Sequence, residues 1–351
     1  MTKRIYITGI AGLIGSSVAK HYLKQGWDVS GCDSLVGGYK ENVPQAASFR
    51  HCDIKDIDFL DNRPSYDVIF HAAALAHEGF SVFSPSLITN SIYSNTMKMA
   101  SLSIQNEAKL FINCSSMARY GNIETPFTED MVCSPVDPYG LAKLQAEQQL
   151  ALLADIYPQF KYYTVVPHNV CGAQQVYNDP YRNVLSIMIH QALRGYPIFI
   201  YGDGNQTRSF SHVNDCVNAI SALIELQPKQ KVFNIGPEGN EITINTLAEL
   251  VKTRTNSKSE IIRLDPRPRE VKEAFCSATL SKEVLHYQTL KTVTDIIDDI
   301  IEFIRLNGYK DYKYNLPIEI RDSRVPKTWS KRLFGLPLED VVRYDNELTS
   351  S

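Results

Sequence analysis

Paired cysteines are missing from this chain. Its seven cysteines, Cys32, Cys52, Cys114, Cys133, Cys171, Cys216 and Cys276, are odd in number, scattered, and never spaced as CxxC. That pattern argues for reduced thiols and against a disulfide framework or a zinc site, so no metal is expected. No apolar run approaches the ~20 residues a bilayer span needs, so no membrane partner is expected. The opening Met1-Thr2-Lys3-Arg4 passes at once into a strand-like run, Ile5–Thr8, too short for a signal sequence, and a cytoplasmic protein is the expectation. An excess of basic charge is absent too: 36 Lys and Arg stand against 39 Asp and Glu, a net charge of −3. Such a balance offers no field to draw nucleic acid, and an anionic ligand would have to be held by a few local arginines. Repeats and low-complexity stretches are likewise lacking.

What is present is ordinary globular material, 351 residues of which 44% are hydrophobic, enough for one large core or two coupled domains. Short apolar runs read as buried parallel strands: Arg4–Thr8, Asp28–Cys32, Val68–His71, Leu110–Cys114, Tyr162–Val166 and Val232–Ile235. Between them lie stretches with helical spacing, Leu13–Gln25, Leu87–Asn106, Pro138–Ile156 and Val213–Leu226. This alternation predicts an α/β fold, a doubly wound parallel sheet of the Rossmann kind with a smaller, interleaved C-terminal α/β domain. The expected boundaries are 1–169 plus 213–236 for the dinucleotide-binding domain and 170–212 plus 237–308 for the substrate domain. The segment 309–351, rich in Tyr, Lys, Pro and Asp and without a clear period, is expected to wrap the surface and is assigned no chemistry.

The first strand runs into Thr8-Gly9-Ile10-Ala11-Gly12-Leu13-Ile14-Gly15 and then a helix. Gly9 permits a tight turn, Gly12 lets backbone amides approach a pyrophosphate, and Gly15 allows close helix–strand packing. Gly9, Gly12, Leu13, Ile14 and Gly15 are therefore candidate contacts of a dinucleotide diphosphate at a helix N-terminus. Asp33, at the tip of the second strand, can accept from both adenosine ribose hydroxyls and would repel a 2′-phosphate, which favours NAD over NADP. Asp53 and Ile54 are placed against the adenine, and Ala72, Ala73 and Ala74 against the central diphosphate, both groups lying at strand ends.

Tyr139 and Lys143 stand four apart on a helix and share a face. A phenol's ordinary pKa near ~10 is too high for a general base, and a nearby ammonium together with a positive nicotinamide would push it down. Reaching about 7 takes roughly 4 kcal/mol of differential stabilisation, which demands a partly desolvated pocket. Ser116 follows another strand end and can hydrogen-bond the same substrate oxygen.

With these parts in order, the chain resembles the extended short-chain dehydrogenase/reductase family, and within it the UDP-glucose 4-epimerase group. The markers are TGIAGLIG (8–15), CSSMARYG (114–121), DPYGLAK (137–143), PHNVCG (167–172), YGDGNQTRSFSHVND (201–215) and RPRE (267–270), and the resemblance spans roughly residues 3–305. It implies a tightly held NAD and a nucleotide-sugar, with a UDP-sugar favoured, lying between two domains. On it, Tyr139 is the base on the sugar O4, Ser116 its hydrogen-bonding partner and Lys143 the organiser. Asn90 and Pro167 adjoin the cofactor. Asn169 touches the substrate phosphate, Asn183 and Val184 flank the nucleotide, Tyr201 borders the uracil, and Arg208 and Arg267 clamp the diphosphate. Glu78 is a candidate contact for a sugar hydroxyl. Ala274 occupies a gatekeeper position where a bulky side chain narrows the pocket, so N-acetylhexosamines should be tolerated. Helices Leu87–Asn106 and Pro138–Ile156 match a pair that builds a homodimer in relatives.

The chain also departs from the family. Val166 replaces an arginine before Pro167, and RPRE replaces RPGD, with Arg269 a candidate for an added phosphate contact. His71 and His168 fall near the cofactor by motif position but read as packing histidines. The implied reaction is transient oxidation of C4 to a 4-keto sugar, followed by hydride return to the opposite face. One rival is a nucleotide-sugar 4,6-dehydratase, which commonly carries Asp-Glu after the serine where this chain has Met117-Ala118. Another is an idle NAD-binding regulator, against which the intact Ser116, Tyr139 and Lys143 count.

Overall fold

The computed structural model describes residues 2–58 and 65–346. Seven strands form its central sheet: β1 (Arg4–Thr8), β2 (Asp28–Asp33), β3 (Ser48–His51), β4 (Val68–His71), β5 (Phe111–Cys114), β6 (Tyr162–Pro167) and β7 (Val232–Ile235). All neighbours pair parallel, in the order β7-β6-β5-β4-β1-β2-β3. The expected doubly wound sheet is present, and the order reverses at β1 and β4, where ligands of such sheets bind.

Every residue of β1, β4 and β5 is buried, because helices cover both faces. On one face Val18 and Tyr22 of the Leu13–Lys24 helix meet Val217, Ile220 and Leu223 of the Val213–Leu226 helix over Ile5, Ile7 and Phe70. On the other, Met99, Leu102 and Leu150 cover Tyr6, Ile69 and Phe111. β3 escaped the sequence reading because it is an edge strand with Ser48, Arg50 and His51 exposed, so no apolar run marks it.

The predicted Leu87–Asn106 helix is instead three pieces: Pro85–Thr89, a wider π turn over Asn90–Ser94, and Asn95–Gln105. The wider turn rotates the helix surface so that Asn90, Ser91, Ser94 and Asn95 all line the central cavity.

A second core gathers the helices Val184–Leu193, Ile244–Thr255 and Val293–Asn307 around the parallel strand pair Ile198–Tyr201 and Ile261–Leu264. The described part of the segment after Gly308 carries buried side chains as well as exposed ones. Thr328, Trp329, Leu333 and Phe334 are buried, and Leu316, Trp329 and Phe334 line the central cavity. Residues 347–351 lie outside the described residues. Among the described residues no helix is long and apolar enough to cross a membrane, no metal-binding cluster of His, Cys, Asp or Glu occurs, and the seven cysteines are free.

Candidate active site

A cavity of about 830 Å³ opens at the carboxyl ends of the sheet strands and runs to the second core. At its first end lies the glycine turn. Gly9 sits at φ +73°, and a Cβ on it would come 2.8 Å from the Ala73 nitrogen. A Cβ on Gly15 would lie 2.1 Å from the Gly9 carbonyl oxygen, so only glycine allows the helix to start so close to β1. No side chain caps that helix start, and no acid sits in its first turn. Gly12, Leu13, Ile14 and Gly15 thus present a helix N-terminus with uncapped amides to the cavity. Asp33 accepts from the Ala11 amide at 3.0 Å and the Leu35 amide at 2.7 Å, which fixes its carboxylate at the cavity edge. Burial pushes its pKa up, and those amides pull against that. Asp53, Ile54, Ala72, Ala73, Ala74, Asn90 and Pro167 line the same end. A bare anion-binding turn beside a fixed ribose acid fits a dinucleotide.

The middle of the cavity carries the reactive groups. Asp137 caps the Pro138–Ile156 helix by accepting from the Gly140 amide at 2.9 Å, so Tyr139 falls in the first helical turn and Lys143 one turn on. The Lys143 ammonium lies 5.9 Å from the Tyr139 ring centre and donates to the Cys114 carbonyl at 2.6 Å. Burial lowers its pKa. Ser116 is fixed at the end of β5 by accepting from the Ala118 amide at 3.2 Å, and its hydroxyl stands near enough to the Tyr139 phenol to favour the phenolate. All three reach the cavity. The sequence reading expected charge to draw the phenol's pKa down. In the protein alone burial dominates and pushes it up, while the nearby Ser116 hydroxyl and the Arg182 charge act in the lowering direction and Glu78 against them.

Asp137 and Arg182 are functional candidates the sequence reading missed. Burial, and then the charge of Glu78, lifts the Asp137 pKa to about 7. The available signal was only a helix-capping Asp before Pro138, which reads as structure. Arg182 lines the cavity with its guanidinium close to Gly37, beside the ribose acid. Leu316, Trp329 and Phe334 were missed as well, because nothing periodic marks them.

At the far end stand Glu78, Asn169, Asn183, Val184, Tyr201, Arg208 and Arg267. Asn169 (φ +39°) donates to the Ser209 carbonyl at 2.8 Å, and Asn183 (φ +52°) caps the Val184–Leu193 helix. The Arg267 guanidinium lies 4.8 Å over the Tyr201 ring and pairs with Glu270 at 2.7 Å. Burial works against the Arg267 charge, but Glu270 outweighs it. Arg208 donates to the carbonyls of Thr207, Val271 and Lys272 and stands 3.9 Å from Glu270. The RPRE departure therefore sets Glu270 between the two arginines, with Arg269 on the cavity wall. Val166 is wholly buried among Met117, Tyr120 and Phe127. His71 is a packing histidine held by Thr8 and Thr96 at 2.8 and 3.0 Å.

Ala274 stands apart from the other candidates. It borders a side recess of about 10 Å³, room for one water at most, shared with Glu78, Met117, Asp137 and Arg208 rather than the main cavity.

The model of the NAD dependent epimerase/dehydratase family matches residues 5–236. A UDP-glucose 4-epimerase of Streptomyces lividans is 28% identical over 330 residues, covering 89% of this chain and 99% of its own. A Thermotoga maritima UDP-glucose 4-epimerase, solved with UDP-glucose, superposes with a TM-score of 0.80 at 30% identity over 87% of this chain and 99% of its own. A UDP-N-acetylglucosamine 4-epimerase of Methanobrevibacter ruminantium, solved with UDP-N-acetylmuramic acid, gives a TM-score of 0.78 at 27% identity, over 88% of this chain and 99% of its own.

Proposed function

Because the chain belongs to the NAD dependent epimerase/dehydratase family, we propose that it inverts C4 of a UDP-hexose by transient oxidation to a 4-keto sugar. The observation that carries this reading is the grouping of Tyr139, Ser116 and Lys143 in one cavity, between an uncapped glycine turn and a pair of arginines. Similarity to epimerases of UDP-glucose and UDP-N-acetylglucosamine supports it.

Bound NAD supplies the hydride-accepting ring and a positive charge that favours phenolate. Tyr139 takes the O4 proton and returns it, Ser116 hydrogen-bonds the same oxygen, and Lys143 orients the cofactor ribose. Arg208 and Arg267 hold the diphosphate through charge-assisted hydrogen bonds, with Asn169 beside them. Tyr201, Asn183 and Val184 border the nucleotide, while Glu78 takes a sugar hydroxyl. In this reading residues 1–169 plus 213–236 form the NAD-binding domain and 170–212 plus 237–308 the substrate domain, and the helical stretch 87–106 together with the Pro138–Ile156 helix, whose Leu141, Leu152 and Ile156 are exposed, is the surface for a homodimer.

Tolerance of N-acetylhexosamines is supported by similarity to a UDP-N-acetylglucosamine 4-epimerase and not by Ala274, which borders the side recess. The purified protein is incubated with UDP-glucose, UDP-galactose, their N-acetyl counterparts, and dTDP- and GDP-sugars, and products are separated by chromatography. A C4 epimer from a UDP-sugar is expected. Absence of any epimer, or release of a 4-keto-6-deoxy sugar, overturns the assignment.

A further inference from the structure

The segment after Gly308 lies beyond the part of the chain that resembles the family, yet it is stitched to three separate borders of the cavity. On the sheet side, the Glu319 carboxylate accepts from the Ser86 and Leu87 amides at 2.9 Å, and Glu319 and Ile320 donate to the Phe83 carbonyl. In the linking stretch, Lys313 donates to the Asn178 carbonyl and Asn178 to that of Asp311. On the second core, the Gly335 amide donates to Gln191 at 3.1 Å, and Thr328 hydrogen-bonds the Tyr201 hydroxyl.

Within this span three apolar side chains face the cavity. Trp329 donates its indole N–H to the Pro180 carbonyl at 2.8 Å, and the rings of Phe80, Tyr181 and Phe83 hold it edge-on at 5.6–6.1 Å. Its far edge points to Gly79, where the Arg267 guanidinium also converges, so it stands at the junction of sugar and diphosphate. Phe334 packs at 5.4 Å against Phe199, in the strand that ends at Tyr201, and so stands at the base end. Leu316 completes the same wall.

Resting on the nucleotide-sugar reading above, we propose that this segment is a fixed roof over the substrate half of the cavity, with Leu316, Trp329 and Phe334 as specificity-determining residues that touch the ligand. A roof tied on both sides of the cleft removes the apolar face of a bound nucleotide-sugar from water and sets an upper limit on the bulk of the sugar it admits. Its polar groups are met by backbone and side-chain partners on both sides of the cleft, so the wall is preformed and its ordering cost is met in folding rather than at binding.

The test uses the full chain carrying Leu316→Ala, Trp329→Ala or Phe334→Ala, with folding checked by circular dichroism and thermal melting. UDP binding is measured by calorimetry and turnover on the UDP-hexose the wild type accepts. Binding of UDP should weaken by roughly tenfold in Leu316→Ala and Phe334→Ala. In Trp329→Ala, KM should rise more than kcat falls, and larger N-acylated UDP-hexosamines should gain relative to the plain hexose. Should Trp329→Ala or Phe334→Ala fail to fold, the half-buried Leu316 decides alone. A wild type that binds UDP tightly, with folded variants matching it in affinity and sugar preference, overturns the roof and leaves the epimerase reading standing. A wild type that does not bind UDP overturns the epimerase reading, and the roof with it.

Discussion

Replacing Tyr139 with Phe deletes one oxygen from a buried ring and leaves the helix, its Asp137 cap and the Lys143 position untouched. Two costs follow, and their sizes differ enough to separate chemistry from scaffolding. In the folded chain the change removes the phenol oxygen that neighbours Ser116, and losing one such polar contact costs at most about 1 kcal/mol. Ser116 still lies at the cavity, where water can replace the lost partner, so the melting temperature should fall by only a few degrees. In the reaction, the same oxygen carries the O4 proton both ways. Removing a positioned acid–base group lowers the rate by about 10³-fold, or about 4 kcal/mol. The assay is steady-state epimerisation of a UDP-hexose beside a thermal melt of the same preparation, with KM expected to stay near its wild-type value. A Tyr139→Phe protein within tenfold of wild-type kcat would show that the proton goes elsewhere. A variant that loses activity and stability together would reduce Tyr139 to a packing residue.

Two further outcomes follow from the site. Gly15→Ala places a Cβ 2.1 Å from the Gly9 carbonyl oxygen, so the turn must open, and NAD retained through purification should drop by roughly tenfold or more; undiminished NAD would refute the cradle. Asp137 titrates at about 7 because burial and the Glu78 charge favour its neutral form. The folded chain then holds a proton that the unfolded chain gives up at lower pH, so stability falls as pH rises from about 4 to about 7. Asp137→Asn removes that contribution, and its melting temperature should decline less than wild type over this window; parallel declines would place the titration elsewhere.

Much of this architecture was legible because fully buried strands advertise themselves. β1, β4 and β7 were bounded to the residue, since each is a short run dominated by β-branched and aromatic residues, and the Pro138–Ile156 helix is announced by its Asp-Pro start. β3 carried no such signature, because an edge strand facing water needs no apolar residues. The π turn at Asn90–Ser94 shifts the helical period too little to be seen over five residues, although it decides which side chains reach the cavity. The candidate residues were legible where a backbone constraint and a chemical group coincide, as at Gly15 or Tyr139. Ala274 shows the opposite case: its motif position was clear, but packing around Phe127 and Val271 sets it in a recess rather than on the main wall. Trp329 sits in a stretch without a period, and its place depends wholly on contacts with Phe80, Phe83 and Tyr181, far away along the chain.

β7 has a consequence for how the chain comes to be built. It seals the flank of β6, but it is synthesised only after the Val184–Leu193 helix of the other core. Until Ile235 has left the ribosome, β6 presents an open hydrogen-bonding edge, and a chain ending in that interval carries a template for pairing with its neighbours. The interleaving that brings both ligand halves into one cleft thus also makes the two cores dependent on each other's completion.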